Sequence, residues 1–401
     1  MKIFILVDAL RSDYISQKNT PFLYNLSQKY YYIKKIKPSL GFCERSEIIS
    51  GLKSEKTGFF TAIGKNKQKS EYIKMSKSMS ILLDMVDSIL KKIPVIRLFN
   101  KNLNSNKAFR KIINKILTKK YNAKMSSYKI PYRQLRNFYL TEDEINHFSK
   151  KFFNQSSLVN KILSKNISIN NKAWTYLGKK NQMSENEVKK YLINKNKSQK
   201  NEFIFSYLGA LDVIGHKYGP QSKEMGNELM KLDLFFKKLI KSNINSTIII
   251  LGDHGMKTIK SYFNIEPHLK KIKYDLGLKI NEDFNYFIDS TMCRIWIKDN
   301  FKKENVINYF ESQKELTENG AIISPKVSKK IYGDIIWLAN EGVMVYPDFF
   351  HFNKPIGMHG YNNSLLKSQG TCIIYSPDGK NINIENENLS KINEIIMKDF
   401  V

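Results

Sequence analysis

Cysteine is almost missing from this chain. Its three residues, Cys43, Cys293 and Cys372, are odd in number and widely spaced, which excludes a disulfide framework as the source of stability. Apolar runs long enough to span a bilayer are lacking too. The chain opens M-K-I-F-I-L-V-D, with too few apolar residues before the first acid for the core of a signal peptide. It reads as a buried strand that starts at once, and the cytoplasm is the default expectation. Acid is the third shortage: 37 Asp and Glu face 66 Lys and Arg, a formal charge of +29. Apolar residues are plentiful at 42%, so wholesale disorder is excluded and a sizeable core is available.

The shortage of acid is uneven. From Lys65 to Lys200 there are 31 Lys and Arg against 8 Asp and Glu, and no acid falls between Ser88 and Thr141. A lysine-rich composition with abundant Asn and Ile explains a high overall charge. It does not explain acids vanishing from one segment. A surface facing polyanions does: anionic lipid, phosphorylated glycan or nucleic acid. Within this stretch Met79 to Lys92 and Ala108 to Lys119 carry apolar residues three and four apart with Lys between them, the spacing of amphipathic helices. Residues 65–199 are read as a basic, mainly helical insert or cap. Met79 to Tyr139 suits peripheral contact with an anionic membrane at its inner face, and equally a lid over a site. Nucleic acid is a third partner, although no recognised binding motif accompanies the Tyr and Phe among the Lys and Arg.

Around the insert the pattern alternates between strand and helix. Pro21 to Lys29 reads as a helix, Ile33 to Pro38 as a strand, and Glu44 to Ser50 as a short helix ended by Gly51. Phe203 to Leu211 and Ser246 to Leu251 are continuously apolar strands separated by an amphipathic helix, Glu224 to Lys241. Such strands belong in a parallel sheet covered on both faces. The fold expected is α/β, a doubly wound, mostly parallel sheet built from residues 1–64 and 200–401. Residues 281–353 turn short and mixed and suggest a small subdomain. Thr371 to Tyr375 is a final strand, and the Asn-rich stretch Asn381 to Asn388 is read as a surface loop.

Four motifs carry chemistry: Asp8 in I-L-V-D-A-L-R, Asp212 and His216 in L-D-V-I-G-H-K-Y-G-P, Asp253 and His254 in I-I-I-L-G-D-H-G-M, and His359 in G-M-H-G-Y-N-N. The three Asp stand at or just past apolar strands, where open parallel sheets collect their ligands. A carboxylate among Leu, Val and Ile is costly unless paired or metal-bound. Any one of them alone is better read as a helix cap. Three of the six histidines lie in the same glycine-flanked motifs, and Asp oxygens with His nitrogens bind Zn²⁺ or Mn²⁺ well. His216 follows Asp212 by one helical turn. Gly252 and Gly255 give the backbone freedom for Asp253 and His254 to share an ion. His147, His268 and His351 are read as structural.

Together these motifs resemble the alkaline phosphatase superfamily, and most closely its nucleotide pyrophosphatase/phosphodiesterase branch. The D-x-x-G-H-x-x-G-P stretch from Asp212 to Pro220 is the most specific match, followed by G-D-H-G-M and M-H-G-Y-x-N. The resemblance covers residues 1–64 and 200–375. It implies two divalent ions, Zn²⁺ or Mn²⁺, one held by Asp212, His216 and His359 and the other by Asp8, Asp253 and His254. It also implies a Thr, Ser or modified Cys as nucleophile at a helix start, upstream of a T-G-L type turn. Here the turn is Ser50-Gly51-Leu52 and the matching position is Gly41, which has no side chain. Cys43, at the positive end of the following helix, is the preferred nucleophile, and Ser39 the substitute. Arg45 is a candidate clamp for a phosphate oxygen. The C-x-P-S-R pattern of sulfatases is absent, so the reaction expected is in-line displacement at phosphorus on a nucleotide, lipid-linked or glycan phosphate. If Cys43 does not attack, the ions can activate water directly. The other class of reading is a binding protein that kept the ligands and lost turnover with its nucleophile.

Overall fold

A computed structural model describes the chain except residues 93–95, 99–100, 104, 142–145, 154–155, 176–181, 196–200, 325–329, 363–367 and 380. Asn363, the last residue of the expected M-H-G-Y-x-N motif, lies outside the described residues. The strands that organise the molecule are β1 (Lys2–Val7), β2 (Tyr31–Lys37), β3 (Ser168–Ala173), β4 (Glu202–Leu208), β5 (Thr247–Leu251), β6 (Phe284–Asp289), β7 (Met292–Ile297), β8 (Gly320–Ile323), β9 (Ile335–Ala339), β10 (Gly370–Tyr375) and β11 (Ile382–Asn388). The helices used below are α1 (Pro21–Lys29), α2 (Glu44–Ser50), α3 (Lys77–Lys92), α4 (Ser105–Lys120), α5 (Glu185–Ile193), α6 (Ala210–Tyr218) and α7 (Lys223–Ser242).

The main sheet runs β11-β2-β10-β5-β1-β4-β3. Only β10 is reversed; it is antiparallel to both of its neighbours, while the other pairs are parallel. Alternation along the central strands explains why both faces are covered. In β1, Ile3, Ile5 and Val7 enter one apolar cluster and Phe4 and Leu6 the other. In β5, Ile248 and Ile250 face the first, with Ile249 and Leu251 facing the second. Each such side chain stabilises the fold by about 1.5–3 kcal/mol of burial. This is the α/β arrangement expected, a mostly parallel sheet made mixed by the single reversed strand β10.

A second, antiparallel sheet of order β6-β7-β9-β8 forms within the region expected to be a small subdomain. Its core also takes in Ile63, Tyr72, Leu117, Ile130 and Phe138. The first part of the basic stretch therefore packs against this sheet. The later part does not: Leu158, Val159, Ile162 and Trp174 pack on the main sheet, and β3 pairs in parallel with β4. The division at 65 and 199 does not coincide with the division of the clusters, because S-I-N-N-K-A is a polar strand that composition assigns to the insert. The same cause corrects the loop expected at Asn381 to Asn388. It is β11, a mostly exposed edge strand parallel to β2, where polar side chains are tolerated because one strand flank faces solvent.

Candidate metal centre

The ends of β1, β4 and β5 deliver three carboxylates to one cavity of about 380 Å³. Asp8 follows β1 directly. Asp253 follows β5 through Gly252, which is glycine for want of space, since a Cβ there would lie 2.1 Å from the Leu10 carbonyl oxygen. Asp212 stands further on than expected, because β4 stops at Leu208 and Asp212 falls in the first turn of α6. Glu185 of α5 accepts the Gly209 and Ala210 backbone N–H groups at 2.9 and 2.8 Å. A carboxylate on these otherwise unpaired donors settles where α6 begins. One turn later α6 presents His216, whose Nε2 is 3.2 Å from Asp212 Oδ1. His359 follows the short strand Gly357–Met358 and sets its Nε2 3.5 Å from the same oxygen.

The second group forms at β1 and β5. His254 Nε2 is 2.9 Å from Asp8 Oδ1 and 3.9 Å from Asp253 Oδ1. Tyr207 donates its hydroxyl to Asp8 Oδ2, and the Ala9 backbone N–H donates to Asp253 Oδ1 at 3.2 Å. Two imidazoles are steered from behind: Nδ1 of His216 donates to Gly357 O at 2.9 Å and Nδ1 of His254 to Gly255 O at 2.8 Å. A carbonyl only accepts, so Nδ1 carries a proton and Nε2 is the atom left to face the carboxylates.

The donor atoms fit metal ions. Asp8 Oδ1 and Asp212 Oδ1 are buried and receive no well-formed hydrogen bond from the described residues. Tetrahedral donors about 2.1 Å from an ion stand about 3.4 Å apart, and the separations around Asp212 are 3.2 and 3.5 Å. Two sets hold their donor atoms within 4.8 Å of one another: Asp8, Asp253 and His254, and Asp212, His254 and His359. The first is the set implied by resemblance. In the second, His254 stands where His216 was implied, although His216 Nε2 is itself 3.2 Å from Asp212 Oδ1.

Charge in the cavity is unbalanced. Burial, then the charge of Asp8, pushes the Asp253 carboxyl up to about 7. Burial also raises Glu44 to about 8, with Asp253 and Asp8 adding to it against the pull of His254. Burial opposes a charged His254, but Asp253 and Asp8 outweigh it and hold the imidazole well above its ordinary value. His359 is held well below, first by burial and then by His254 and His216; its ring stacks on His254 with centroids 3.9 Å apart. Crowded carboxylates sharing few protons are what a divalent cation relieves.

Arg45 lines this cavity. Its guanidinium donates to Thr175 O at 2.9 Å and lies over the Tyr207 ring, 4.6 Å from the centroid. Cys43 was expected beside it, but the structure does not bring it to the wall. Cys43 is the buried residue that precedes α2, and it is not among the lining residues. Ser39 is absent from the lining too, its Oγ accepting the Ser54 backbone N–H. Gly41 has φ +110°, and a Cβ there would lie 2.2 Å from Phe60 O, so no side chain fits. Glu44, one residue into α2, takes the place at the wall.

Further lining residues were not foreseen: Tyr207, Asp289, Ser290 and His351. His351, read as structural, has its ring 5.9 Å from that of His216. Its Nδ1 donates to Asp348 Oδ2 at 2.7 Å, and Ser290 Oγ donates to the same oxygen at 2.7 Å. An Asp three residues before a His was the only signal in the sequence. His147 and His268 stay outside the cavity, beside Ser46 and Glu315 respectively.

A mixed α/β sheet with a cluster of Asp and His at its strand ends is the scaffold of the alkaline phosphatase superfamily. The model of the Type I phosphodiesterase / nucleotide pyrophosphatase family matches residues 2–362, and the chain belongs to that family. Murine ectonucleotide pyrophosphatase/phosphodiesterase 5 superposes with a TM-score of 0.65 at 15% identity, over 98% of this chain and 93% of that one. An inactive form of the same murine protein in complex with AMP superposes with a TM-score of 0.64. GPI ethanolamine phosphate transferase 2 of Debaryomyces hansenii is 34% identical over 100 residues, 21% of this chain and 11% of that protein. Venom phosphodiesterase 2 of Crotalus adamanteus is 25% identical over 200 residues, 45% of this chain and 24% of that protein. The matches thus span less than a quarter of either relative.

Proposed function

We propose that this protein is a metal-dependent phosphodiesterase or pyrophosphatase that acts by in-line displacement at phosphorus on a nucleotide, lipid-linked or glycan phosphate. The observation that carries the reading is the meeting of Asp8, Asp212, His216, Asp253, His254 and His359 in one cavity. These six would hold two divalent ions, and their mixed oxygen and nitrogen donors suit Zn²⁺, with Mn²⁺ as the other candidate. Such ions supply Lewis-acid polarisation of a phosphoryl oxygen and lower the pKa of an attacking group. The protein's own side chains do the rest. Tyr207 holds Asp8 in place, and Gly357 and Gly255 orient two imidazoles. Arg45, anchored on Tyr207 and Thr175, presents the guanidinium for non-bridging phosphate oxygens. With position 41 closed and Cys43 off the wall, the attacking group is water. Of the two wall carboxylates outside the triads, Asp289 is paired with Arg294, and Glu44 accepts the water's proton. The AMP complex of the murine protein supports a nucleotide substrate, and the name of one relative, GPI ethanolamine phosphate transferase 2, supports a lipid-linked one.

The test is hydrolysis of bis-p-nitrophenyl phosphate against p-nitrophenyl phosphate, by chelated protein resupplied separately with Zn²⁺ and Mn²⁺. Diester turnover that needs the metal and exceeds monoester turnover is expected. The closure of position 41 favours a second reading, a member of the fold that binds a phosphate ligand without cleaving it. Absence of turnover with either metal, together with retained metal binding, would select it.

A further inference from the structure

Helices α3 and α4 carry an outer face that the cavity does not use. Their inner faces, through Met79, Leu83, Phe109, Ile113 and Leu117, pack on the cluster shared with the small sheet. The outer face of α3 exposes Ile81, Leu82, Met85 and Ile89, and that of α4 exposes Ile112 and Ile116; Leu82 and Ile89 are each 59% exposed and Ile112 61%. Ile81, Met85 and Ile89 fall four apart on one stripe of α3, with Leu82 three residues before Met85 beside it, and Ile112 and Ile116 fall four apart on α4. Isolated exposed apolar side chains are ordinary, whereas a row across two adjacent helices marks an interaction surface.

Five lysines flank these stripes, while Lys91 pairs with Asp87 at 3.2 Å. Lys111, Lys115 and Lys119 alternate with Ile112 and Ile116 on α4, and Lys77 and Lys92 stand at the two ends of α3; all five are exposed. The two acids of these helices are turned inward. Asp84 accepts the Tyr132 and Arg133 backbone N–H groups at 2.6 and 3.1 Å. Asp87 is buried against Arg110, with Nε–Oδ1 at 2.7 Å and a second contact at 2.8 Å. That buried pair clamps α3 to α4 and keeps the Asp87 charge away from the outer face.

We propose that the outer face of α3 and α4 docks on an anionic lipid bilayer. Ile81, Leu82, Met85, Ile89, Ile112 and Ile116 enter the interface between headgroups and chains, and the interspersed lysines meet the lipid phosphates. Among the described residues no helix is long and apolar enough to cross a membrane, so the contact is peripheral. A protein partner would need acid opposite every lysine stripe, whereas an anionic leaflet offers it at every point. The face is tied to the cavity: α4 leads into Tyr128, which lines it, and Arg110 of α4 donates to Tyr128 O at 3.2 Å. On the hydrolase reading, the docked protein would act on lipid-borne phosphodiesters. The proposal deepens the substrate side of the hydrolase reading and rests on it only for that last step.

The experiment is co-sedimentation of the full chain with phosphatidylcholine vesicles that contain or lack phosphatidylglycerol. Hydrolysis of bis-p-nitrophenyl phosphate is followed in parallel, so that loss of docking and loss of chemistry are read separately. Binding to the anionic vesicles alone is expected. The triple variant Lys111→Glu, Lys115→Glu, Lys119→Glu should weaken it at least a hundredfold, at about fivefold per lysine removed. The variant Leu82→Ser, Met85→Ser, Ile89→Ser should weaken it at low and high salt alike. Both variants should keep the wild-type rate on the soluble diester. Equal binding to neutral vesicles, undiminished binding by either variant, or no binding at all would overturn the proposal. Retention of RNA without vesicle binding, or dimerisation abolished by the serine variant without vesicle binding, would assign the face to those partners instead.

Discussion

Removing metal should make the protein's stability fall as pH rises from about 6.5 to about 8.5, and restoring metal should lessen the fall. Asp253 and Glu44 hold their protons up to about 7 and about 8, in both cases first because they are buried. A carboxyl whose folded pKa is raised favours the fold below its unfolded pKa. That contribution is lost as pH climbs through the folded value. His254, where Asp253 and Asp8 outweigh burial, is raised as well and acts in the same direction. His359 and His147 are depressed, first by burial, and act oppositely, but only below their unfolded value of about 6.5. Asp8, which burial would raise but His254 and Tyr207 hold low, matters only below about pH 4. Above about pH 6.5, then, the shifted cavity groups push one way.

Glu44 alone titrates over about 1.5 units of the window, or about 2 kcal/mol. Spread over a chain of 401 residues with a melting entropy of about 2.1 cal/mol/K per residue, this is a drop of about 2–3 °C in Tm. Glu47, raised to about 7 by burial against the Ser39 and Ser390 amides, adds a smaller fall that metal cannot remove. A bound cation takes over the part played by the protons in the cavity, so Zn²⁺ should raise Tm more at pH 8.5 than at 6.5. Scanning calorimetry of chelated and Zn²⁺-loaded protein across this window is the assay. A chelated protein whose Tm is flat or rises with pH, or a Zn²⁺ shift equal at both ends, refutes the account of the cavity.

Two substitutions address the attacking group. Glu44→Gln should slow diester hydrolysis by about 10²–10⁴, the usual contribution of a general base, while Cys43→Ala stays close to wild type and mass spectrometry of a quenched bis-p-nitrophenyl phosphate reaction finds no Cys43 peptide carrying the p-nitrophenyl phosphoryl group. The opposite pattern would establish a covalent route through the thiol. Gly41→Ala should lower stability by about 2–4 kcal/mol, since it combines a left-handed backbone with overlap against Phe60 O; an unchanged urea midpoint would mean that the Phe60 segment retreats without cost.

What could be read from the sequence follows from where information is local. α1 begins at the proline of its first turn and α2 ends at Gly51 just past its last, because such signals act on their own helix. β1 and β5 are unmistakable as continuous apolar runs. The six Asp and His stand out because each lies in a glycine-bearing motif or beyond such a run, although Gly252 serves close approach to Leu10 rather than a turn. β3 and β11 escaped for the opposite reason. They are edge strands whose pairing is supplied by β4 and β2 while their side chains stay polar, so nothing in S-I-N-N-K-A or I-N-I-E-N-E-N announces a sheet.

The attacking group shows the limit most sharply. Cys43 and Glu44 are neighbours at the start of α2, and only the rotation of that first turn decides which one faces the cavity. That rotation is set by distant contacts: Glu47 accepts the amides of Ser39 and Ser390, and Phe42 donates its N–H to Phe60 O. His351 is hidden likewise, because its wall is completed by Asp348 from the segment after the small sheet and by α6 of the main body, parts that meet only in the folded chain. Sequence motifs therefore named the acids and imidazoles that meet in one cavity, while the orientation of the groups that would act on a bound phosphate emerged only from the packing of the two sheets around them.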